Sequence, residues 1–488
     1  MKKILLFSFL PLFSLSQIQI GNTINGKYSQ DQSGNSVALS DNGNILAIGT
    51  SNNVALSHLG YVSIYQNSNG TWSQIGDDIV GENTGDKSGY SVALSSNGTI
   101  VAIGSPYSSN NGQNSGSVRL FFFNGITWGQ IGATLTGANA GDLFGYSVSL
   151  SDNGKTVAIG AKNNDGNGNN SGEVRVFKNI NGEWIQLGNA INGENANDES
   201  GSSISLSADG TILAIGAEKN NGNNGAFSGH VRIFQNTTEG WIQVGNDIDG
   251  ENANDFSGTV ALSANGQTIA IGAKYNDENG AASGHVRVFE NTNGTWTQIG
   301  NDIDGQNEGD QSGGSVSISN DGHIIAIGAI GNNTNGNYSG QVRVFQKTGN
   351  NWLQIQNDIN GTEGSTSGSS VSLSSDGNIV AIGATKANNN LSGAVKLYSL
   401  NTNTTSLLHS NSFSNSNFVL YPNPTSEILN IRFENDATLK NVIFYNNLGQ
   451  IVKTSTLNTI SITDLAKGIY QVEIISTFGK EIKSIIIN

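Results

Sequence analysis

Asp86–Gly98 reads DKSGYSVALSSNG, Asp142–Gly154 reads DLFGYSVSLSDNG, and Asp198–Gly210 reads DESGSSISLSADG. One string underlies all three: D-x-S-G-x-S-V-x-L-S-x-N/D-G. Further copies begin at Asp31, Asp255, Asp310 and Ser365, so the seven starts stand 55, 56, 56, 57, 55 and 55 residues apart. The third copy has Phe144 for the first Ser, the fifth is one residue shorter, and the seventh has lost the Asp. A Trp recurs in phase at Trp72, Trp128, Trp184, Trp241, Trp296 and Trp352, which leaves seven copies with six Trp. A fixed period of this kind is the signature of a repeat architecture.

Each unit holds four strand-like runs. In the third unit they are Ser147–Ser151, Val157–Ala161, Glu173–Phe177 and Trp184–Gly188. The first two are joined by Asp152-Asn153-Gly154, and the last two by Asn181-Gly182, both tight-hairpin chemistry. The run VAIGA is apolar on both faces, as a buried inner strand is. No window has the 3.6-residue period of a helical solenoid. Four strands per unit, repeated around a circle, predict an all-β fold, a seven-bladed β-propeller. Gln17 to Leu400 is 384 residues, enough for seven units of about 55. The seventh unit ends after its third strand, Ala394–Tyr398. Its missing fourth strand is Ile18–Ile24 (IQIGNTI), which matches Ser73–Ile79 (SQIGDDI) with Gln17 in the Trp slot. The N-terminal strand therefore closes the ring and removes an exposed sheet edge.

Composition narrows the function. The chain of 488 residues has no Cys, which excludes disulfides, thiolate metal sites, a cysteine nucleophile and a bacterial lipid anchor. Charged residues are 12%, and the formal net charge is −15 from 38 acidic and 23 basic side chains. No Lys/Arg cluster exists for a phosphate backbone, so nucleic acid is excluded as a partner. Met1–Gln17 (MKKILLFSFLPLFSLSQ) has two lysines before an apolar run, the pattern of a secretory signal peptide cleaved near Ser16 or Gln17. No other segment approaches the ~18 apolar residues of a transmembrane helix. The expected organisation is signal peptide 1–17, propeller 18–400, polar linker 401–417 and a C-terminal domain 418–488. In that last domain short alternating strands with Gly and Pro punctuation predict a small immunoglobulin-like β-sandwich.

Two resemblances follow from these motifs. The repeat unit resembles the FG-GAP repeat, the blade of integrin α-subunit propellers and of many bacterial surface proteins. Phe144-Gly145 stands for its first element, and Gly104-Ser105-Pro106 or Gly160-Ala161-Lys162 for its second. Calcium-binding members carry an Asp-rich loop between the two elements. Here that place holds short turns such as Ser151-Asp152-Asn153-Gly154. Residues 418–488 closely resemble the C-terminal sorting domain of type IX secretion cargo in Bacteroidetes. The match rests on Tyr421-Pro422-Asn423-Pro424, Leu429-Asn430-Ile431, Tyr445-Asn446, Leu448-Gly449-Gln450 and Leu465 through Gly468 to Tyr470. This implies the type IX machinery as a partner. It also implies export across the outer membrane, removal of the domain by a sortase-like peptidase, and release or surface attachment.

Turns after the first and third strands share one face and are short. Loops after the second and fourth share the other and are long, such as Lys162–Asn170 and Glu218–Ala226. Long loops on a rigid scaffold carry binding. That face also holds carboxylates in phase at Glu82, Asp86, Asp142, Glu194, Asp198, Glu251, Asp255 and Asp310. They form either a ligand-facing cation ring or a set of turn-capping groups. In-phase Arg119, Arg175, Arg232, Arg287, Arg343 and Lys396 are their natural partners. Asp165, Asn167, Asn169 and Glu173 fall at positions 1, 3, 5 and 9 of a calcium-type loop, so Ca²⁺ is the one cofactor this loop suits. No catalytic residue stands out. There is no HExxH and no GxSxG, and His230 and His285, in equivalent slots of adjacent units, read as blade-surface residues. The six Trp read as blade packing rather than sugar stacking. The expected function is non-enzymatic, adhesion-type recognition of a protein or glycan through the long-loop face of a secreted or cell-surface protein. The alternatives are a carbohydrate-active lyase or hydrolase at the channel mouth, and a structural surface protein. An out-of-phase cluster of His, Tyr, Arg and carboxylates at the mouth would favour the enzyme, and a uniform ring of amides and carboxylates would favour binding. Truncation after Asn417 is expected to trap the protein in the periplasm, scored by surface labelling; normal display of the truncated chain would overturn the sorting role.

Overall fold

The run Thr156–Ala161 (TVAIGA) is buried at every residue, which fixes it as an inner strand. Phe144–Leu150 pairs with it on one side and Glu173–Ile180 on the other, and Glu183–Gln186 completes an antiparallel sheet in chain order. The outer strand has a second piece that the sequence reading left in the connection. Ile191–Asn192 returns to pair with Val174 and Glu173. The buried Ile191 anchors it, as Ile79, Ile248, Ile303 and Ile359 do in their own units.

The computed structural model describes residues 17–51, 59–400, 418–433, 438–446, 451–476 and 479–487. The expected signal peptide (up to residue 16), the expected linker and Gly449 lie outside these residues. The chain divides into two compact units, Met1–Thr402 and Asn403–Asn488. The described residues of the first hold seven sheets built on the plan of the third unit. Their first strands include Ser36–Leu39, Ser91–Leu94 and Ser367–Leu373, and each touches the first strand of the next sheet, the last touching the first. They therefore ring a common axis. The last sheet takes its outer strand from the N-terminus: Ile18 and Gln19 pair with Ser399 and Tyr398, and Ile24 and Asn25 with Val395 and Ala394.

The apolar core lies between neighbouring sheets. One cluster joins Val174 and Val176 of the third unit to Ile204, Leu213, Ile215 and Phe234 of the fourth. The sheets approach so closely that a Cβ at Gly160 would collide with the carbonyl of Gly201 in the next unit, which is why VAIGA carries a Gly. Each in-phase Trp donates its indole N–H to a carbonyl of the preceding outer strand, for example Trp184 to Ile131 and Trp241 to Leu187, both at 2.9 Å. The Trp of the first unit reaches Ile20 of the N-terminal strand. Gln17, in the seventh slot, donates its side-chain amide to the carbonyl of Asn357, so an amide replaces the indole where the Trp is missing. On the short-turn face backbone hydrogen bonds run from Asp41 to Ser96, then Asp152, Ala208, Ala264, Asn320 and Ser375, and back to Asp41, at 2.8–3.0 Å.

The C-terminal unit has a three-stranded sheet and a four-stranded sheet. Leu429, Ile431 and Ile460 of the first share a core with Val442, Phe444, Val472, Ile474 and Ile485 of the second. Two sheets over one core make a β-sandwich.

The Trp241→Phe variant keeps most of the ring burial and loses one inter-sheet hydrogen bond, so a loss of about 1 kcal/mol is expected in urea unfolding. Ile242, 45% exposed in the same strand, is the control. A loss as large for Ile242→Ala would show that the indole N–H contributes nothing special.

Candidate functional site

The in-phase acidic residues of the long-loop face divide into two kinds. Asp86, Asp142, Asp198, Asp255 and Asp310 are only 1–4% exposed. In each, Oδ2 accepts the backbone N–H three residues earlier at 2.8–3.0 Å. They cap their own turns and are shielded from solvent. Glu82, Glu194 and Glu251 do reach solvent, with Oε1 3.6–3.8 Å from the guanidinium of Arg119, Arg232 and Arg287. Those arginines in turn donate to the carbonyls of Val80, Asn192 and Asp249 in the preceding unit at 2.6–2.7 Å. The in-phase charges thus serve the joints between sheets.

The calcium-type loop is likewise engaged in architecture. Asp165 Oδ1 accepts the N–H of Asn170, and Asn167 Nδ2 donates to Gly193 O. Asn111, Asn224, Asn279 and Asn335 make the same contact in sibling loops. Asn169 accepts the N–H of Asn197 through its backbone carbonyl. Glu173 sits 2.9 Å from Arg175 Nε. These are the engagements of a turn and an ion pair. The histidines depart further from expectation. His230 and His285 are 2% and 0% exposed, not surface residues. They open the third strand of their units, where the outer strand covers them.

What breaks the phase of the repeat lies where the chain enters the innermost strands, around the axis on the long-loop face. The residue after the in-phase Asp is left-handed in each unit: Gln32, Lys87, Leu143, Glu199, Phe256, Gln311 and Thr366, at φ of 52–57°. A non-glycine residue held there costs about 1 kcal/mol or more and persists only where the surroundings impose it. In the second to fifth units these positions and their neighbours carry large side chains. Tyr90 packs on Tyr146 (centroids 5.0 Å) and Tyr107 (6.2 Å). Lys87 lies 4.5 Å over the Tyr107 ring, and Lys162 lies 4.3 Å over Tyr146. Glu199 is held between Lys162 (2.8 Å) and Lys219 (2.7 Å), and Lys274 pairs with Glu218 at 2.9 Å. Phe256 stacks on Phe227 and meets the edge of Tyr275. At the place of Tyr90 and Tyr146 the sixth and seventh units carry Gly314 and Ser369. Burial, then the neighbouring Tyr146, push the Tyr90 phenol far above its usual range, so it stays protonated. Burial alone would raise the Glu199 carboxyl, but the hydrogen bonds and charges of Lys162 and Lys219 outweigh it and hold it below the ordinary range. Sequence reasoning passed over this patch because its members are scattered from Lys87 to Tyr275 across four units. The available signal was the change of residue type within an otherwise repeated string.

In the C-terminal unit Tyr421, Pro422, Asn423 and Pro424 are all exposed, open to recognition. Gly468 and Tyr470 lie in the strand Gly468–Ser476. Tyr470 is buried, and its hydroxyl donates to Ala466 O at 2.8 Å, a contact within the fold.

Residues 81–121 and 132–177 match the FG-GAP repeat family, and residues 419–488 match the secretion system C-terminal sorting domain. FG-GAP repeats and a type IX secretion sorting domain are thus both found in this chain, whose fold is all-β and propeller-like. That domain marks it for export and a cell-surface or secreted location, through recognition by the type IX machinery. Among the described residues no helix is long and apolar enough to cross a membrane. No curated protein matches the chain. Among solved structures it is similar to hydrazine synthase of Kuenenia stuttgartiensis, at 12% identity and TM-score 0.49 over 78% of this chain and 97% of that one. It is similar to the periplasmic gluconolactonase PpgL of Pseudomonas aeruginosa at 14% identity and TM-score 0.48, over 70% of this chain and 96% of that one. The Dos1 propeller gives 15% identity and TM-score 0.44, over 79% and 95%.

Because the folded Glu199 carboxyl titrates below its unfolded value, its contribution is full above about pH 4.3 and fades as pH falls through the folded pKa. Glu199→Gln is therefore expected to lower stability by about 2 kcal/mol at pH 7, with the gap to wild type closing on acidification to about pH 3. Urea midpoints at the two pH values check this, and a gap that does not change with pH would overturn it.

Proposed function

We propose that this protein is a non-enzymatic, surface-displayed or secreted recognition module. Its ligand is a protein or glycan bearing negative charge and a flat apolar face, held at the axial mouth of the long-loop side. One observation carries the reading. In a ring whose repeated charges serve turns and joints, Tyr90, Tyr107 and Tyr146 are flanked by Lys87, Lys162, Lys219 and Lys274 against only Glu199 and Glu218. Tyrosine rings stack on flat apolar faces at small entropic cost. Lysines at the rim of such a platform attract carboxylate or sulfate groups.

A carbohydrate-active enzyme is the second reading, favoured by the break in phase of the mouth. The state of the groups weighs against it. The Tyr90 phenol is held protonated, and Glu199 is locked between two lysines, so neither is free to move a proton at neutral pH. The purified protein should be retained on immobilised acidic polysaccharides or acidic peptides and much less on neutral ones. Tyr107→Ala and Lys87→Ala should each weaken retention on the order of tenfold, the loss of about 1.4 kcal/mol of contact. Release of new reducing ends from the polysaccharide would favour the enzyme. Absence of retention on every matrix would leave the structural surface role.

A further inference from the structure

A second concavity lies off the axis, on the rim where the fourth and fifth units meet. Its volume is about 930 Å³, and Glu251, Asp255, Asp277, Glu278, Asp302 and Asp304 line it. Turn chemistry accounts for two of these. Asp255 caps its turn, and Asp277 Oδ1 accepts the N–H of Ala282. Glu251, Glu278 and Asp302 instead converge on His285.

His285 is wholly buried, and neither of its ring nitrogens makes a hydrogen bond. Nδ1 stands 3.4 Å from Asp302 Oδ2 and 3.8 Å from Glu251 Oε2. A buried polar group left without a partner costs about 1–3 kcal/mol, and native proteins rarely tolerate it without a bound water or ion. One donor atom from each of Glu251, Glu278, His285 and Asp302 lies within 4.8 Å of the other three. Four ligands at about 2.0–2.2 Å from a shared tetrahedral ion stand about 3.4 Å from one another, so the donors must draw in by up to about 1.4 Å to complete a first shell. The four come from four segments: the connection between units, the loop after the second strand, the start of the third strand and the outer strand. Arg287, 3.6 Å from Glu251 Oε1, steadies that carboxylate from the side away from His285.

We infer that Glu251, Glu278, His285 and Asp302 bind a divalent first-row transition cation of the Zn²⁺ type. An imidazole among carboxylates selects such an ion over Ca²⁺ or Mg²⁺, which take oxygen ligands. The site breaks the repeat. The residue that opens the third strand is Tyr61, Ser117, Glu173, Gln341 or Ala394 in the other units, and His only at His230 and His285. One unit earlier Glu194, His230 and Asp247 form a smaller version, with Nδ1 3.5 Å from Asp247 Oδ2 and Nε2 unpartnered. It has no counterpart of Glu278, since the loop there reads Asn220-Asn221-Gly222-Asn223. The cation would tie the outer strand to the long loop and the connection, away from the axial mouth, so the assignment is independent of the proposed ligand site.

The test uses the full secreted chain, purified without a histidine tag and stripped with EDTA. Calorimetric titration with ZnCl₂ should give a tight site, with a rise in melting temperature, and millimolar CaCl₂ should not displace the metal. The double variant Glu278→Gln/Asp302→Asn should weaken Zn²⁺ binding on the order of tenfold or more while leaving metal-free melting unchanged. His230→Gln should leave the tight site intact. His285→Gln should abolish it, and the double variant keeps the test decisive if that protein fails to fold. Absence of Zn²⁺ uptake by the wild type, unchanged affinity in the double variant, or displacement by Ca²⁺ would each overturn the assignment.

Discussion

The structure depends on closing a ring of sheets that only non-covalent contacts can close. The chain itself crosses every joint between sheets, and its break, between Leu400 and Gln17, falls inside the seventh sheet, where the pairing of Ile18 and Gln19 with the last strand closes it. An open array would leave two exposed sheet edges and a split core, since each apolar cluster is shared by two sheets. The circuit of backbone hydrogen bonds from Asp41 round to Ser375 and back exists only if the ring is shut. Closure is therefore cooperative: the N-terminal clasp, the Gln17 amide and the short-turn circuit all form together or not at all.

Closure also decides which residues remain for function. A joint made seven times calls for the same groups in nearly every unit, and the in-phase Trp, Arg, Asp and Gly supply most of them. Trp indoles and Arg guanidiniums reach back to the preceding unit, while Asp carboxylates hold the connection that leads forward. A group committed to a joint in one unit is committed in nearly all. Specific chemistry has to sit where units differ. The left-handed position before each first strand is such a place, because its backbone is fixed by the ring while its side chain is free to vary from Thr366 to Phe256. The opening residue of each third strand is another, ranging from Ala394 to His285.

This division explains what could be read in advance. The period, the N-terminal strand in the Trp register and the packing role of Trp follow from phase, and phase is visible in one dimension. The capping role of Asp198 was half visible, since an Asp three residues after a turn N–H has an obvious partner, but its near-total burial was not. The patch of Tyr90, Tyr146 and Glu199 was hidden for a different reason. Its members are about one repeat apart and meet only because first strands are neighbours on the axis. His285 misled because its slot opens an exposed-looking strand, and the short piece Ile303–Asp304 that covers it carries only two residues of strand pattern.

The charge of the molecule bears on the mouth in a way composition alone obscures. A net charge of −15 suggests that anionic ligands are repelled. At physiological ionic strength the screening length is about 8 Å, so a ligand at the axis senses only the charges around it. There four lysines stand against Glu199 and Glu218, while the five in-phase aspartates are buried and their oxygens bonded to backbone N–H groups. Around the tyrosines the lysines therefore outnumber the glutamates in a molecule that is negative overall. Under the proposed function an acidic ligand would be held off the acidic rim and drawn to a mouth where aromatic platforms and lysines coincide, which makes the global charge a source of orientation rather than an obstacle to binding.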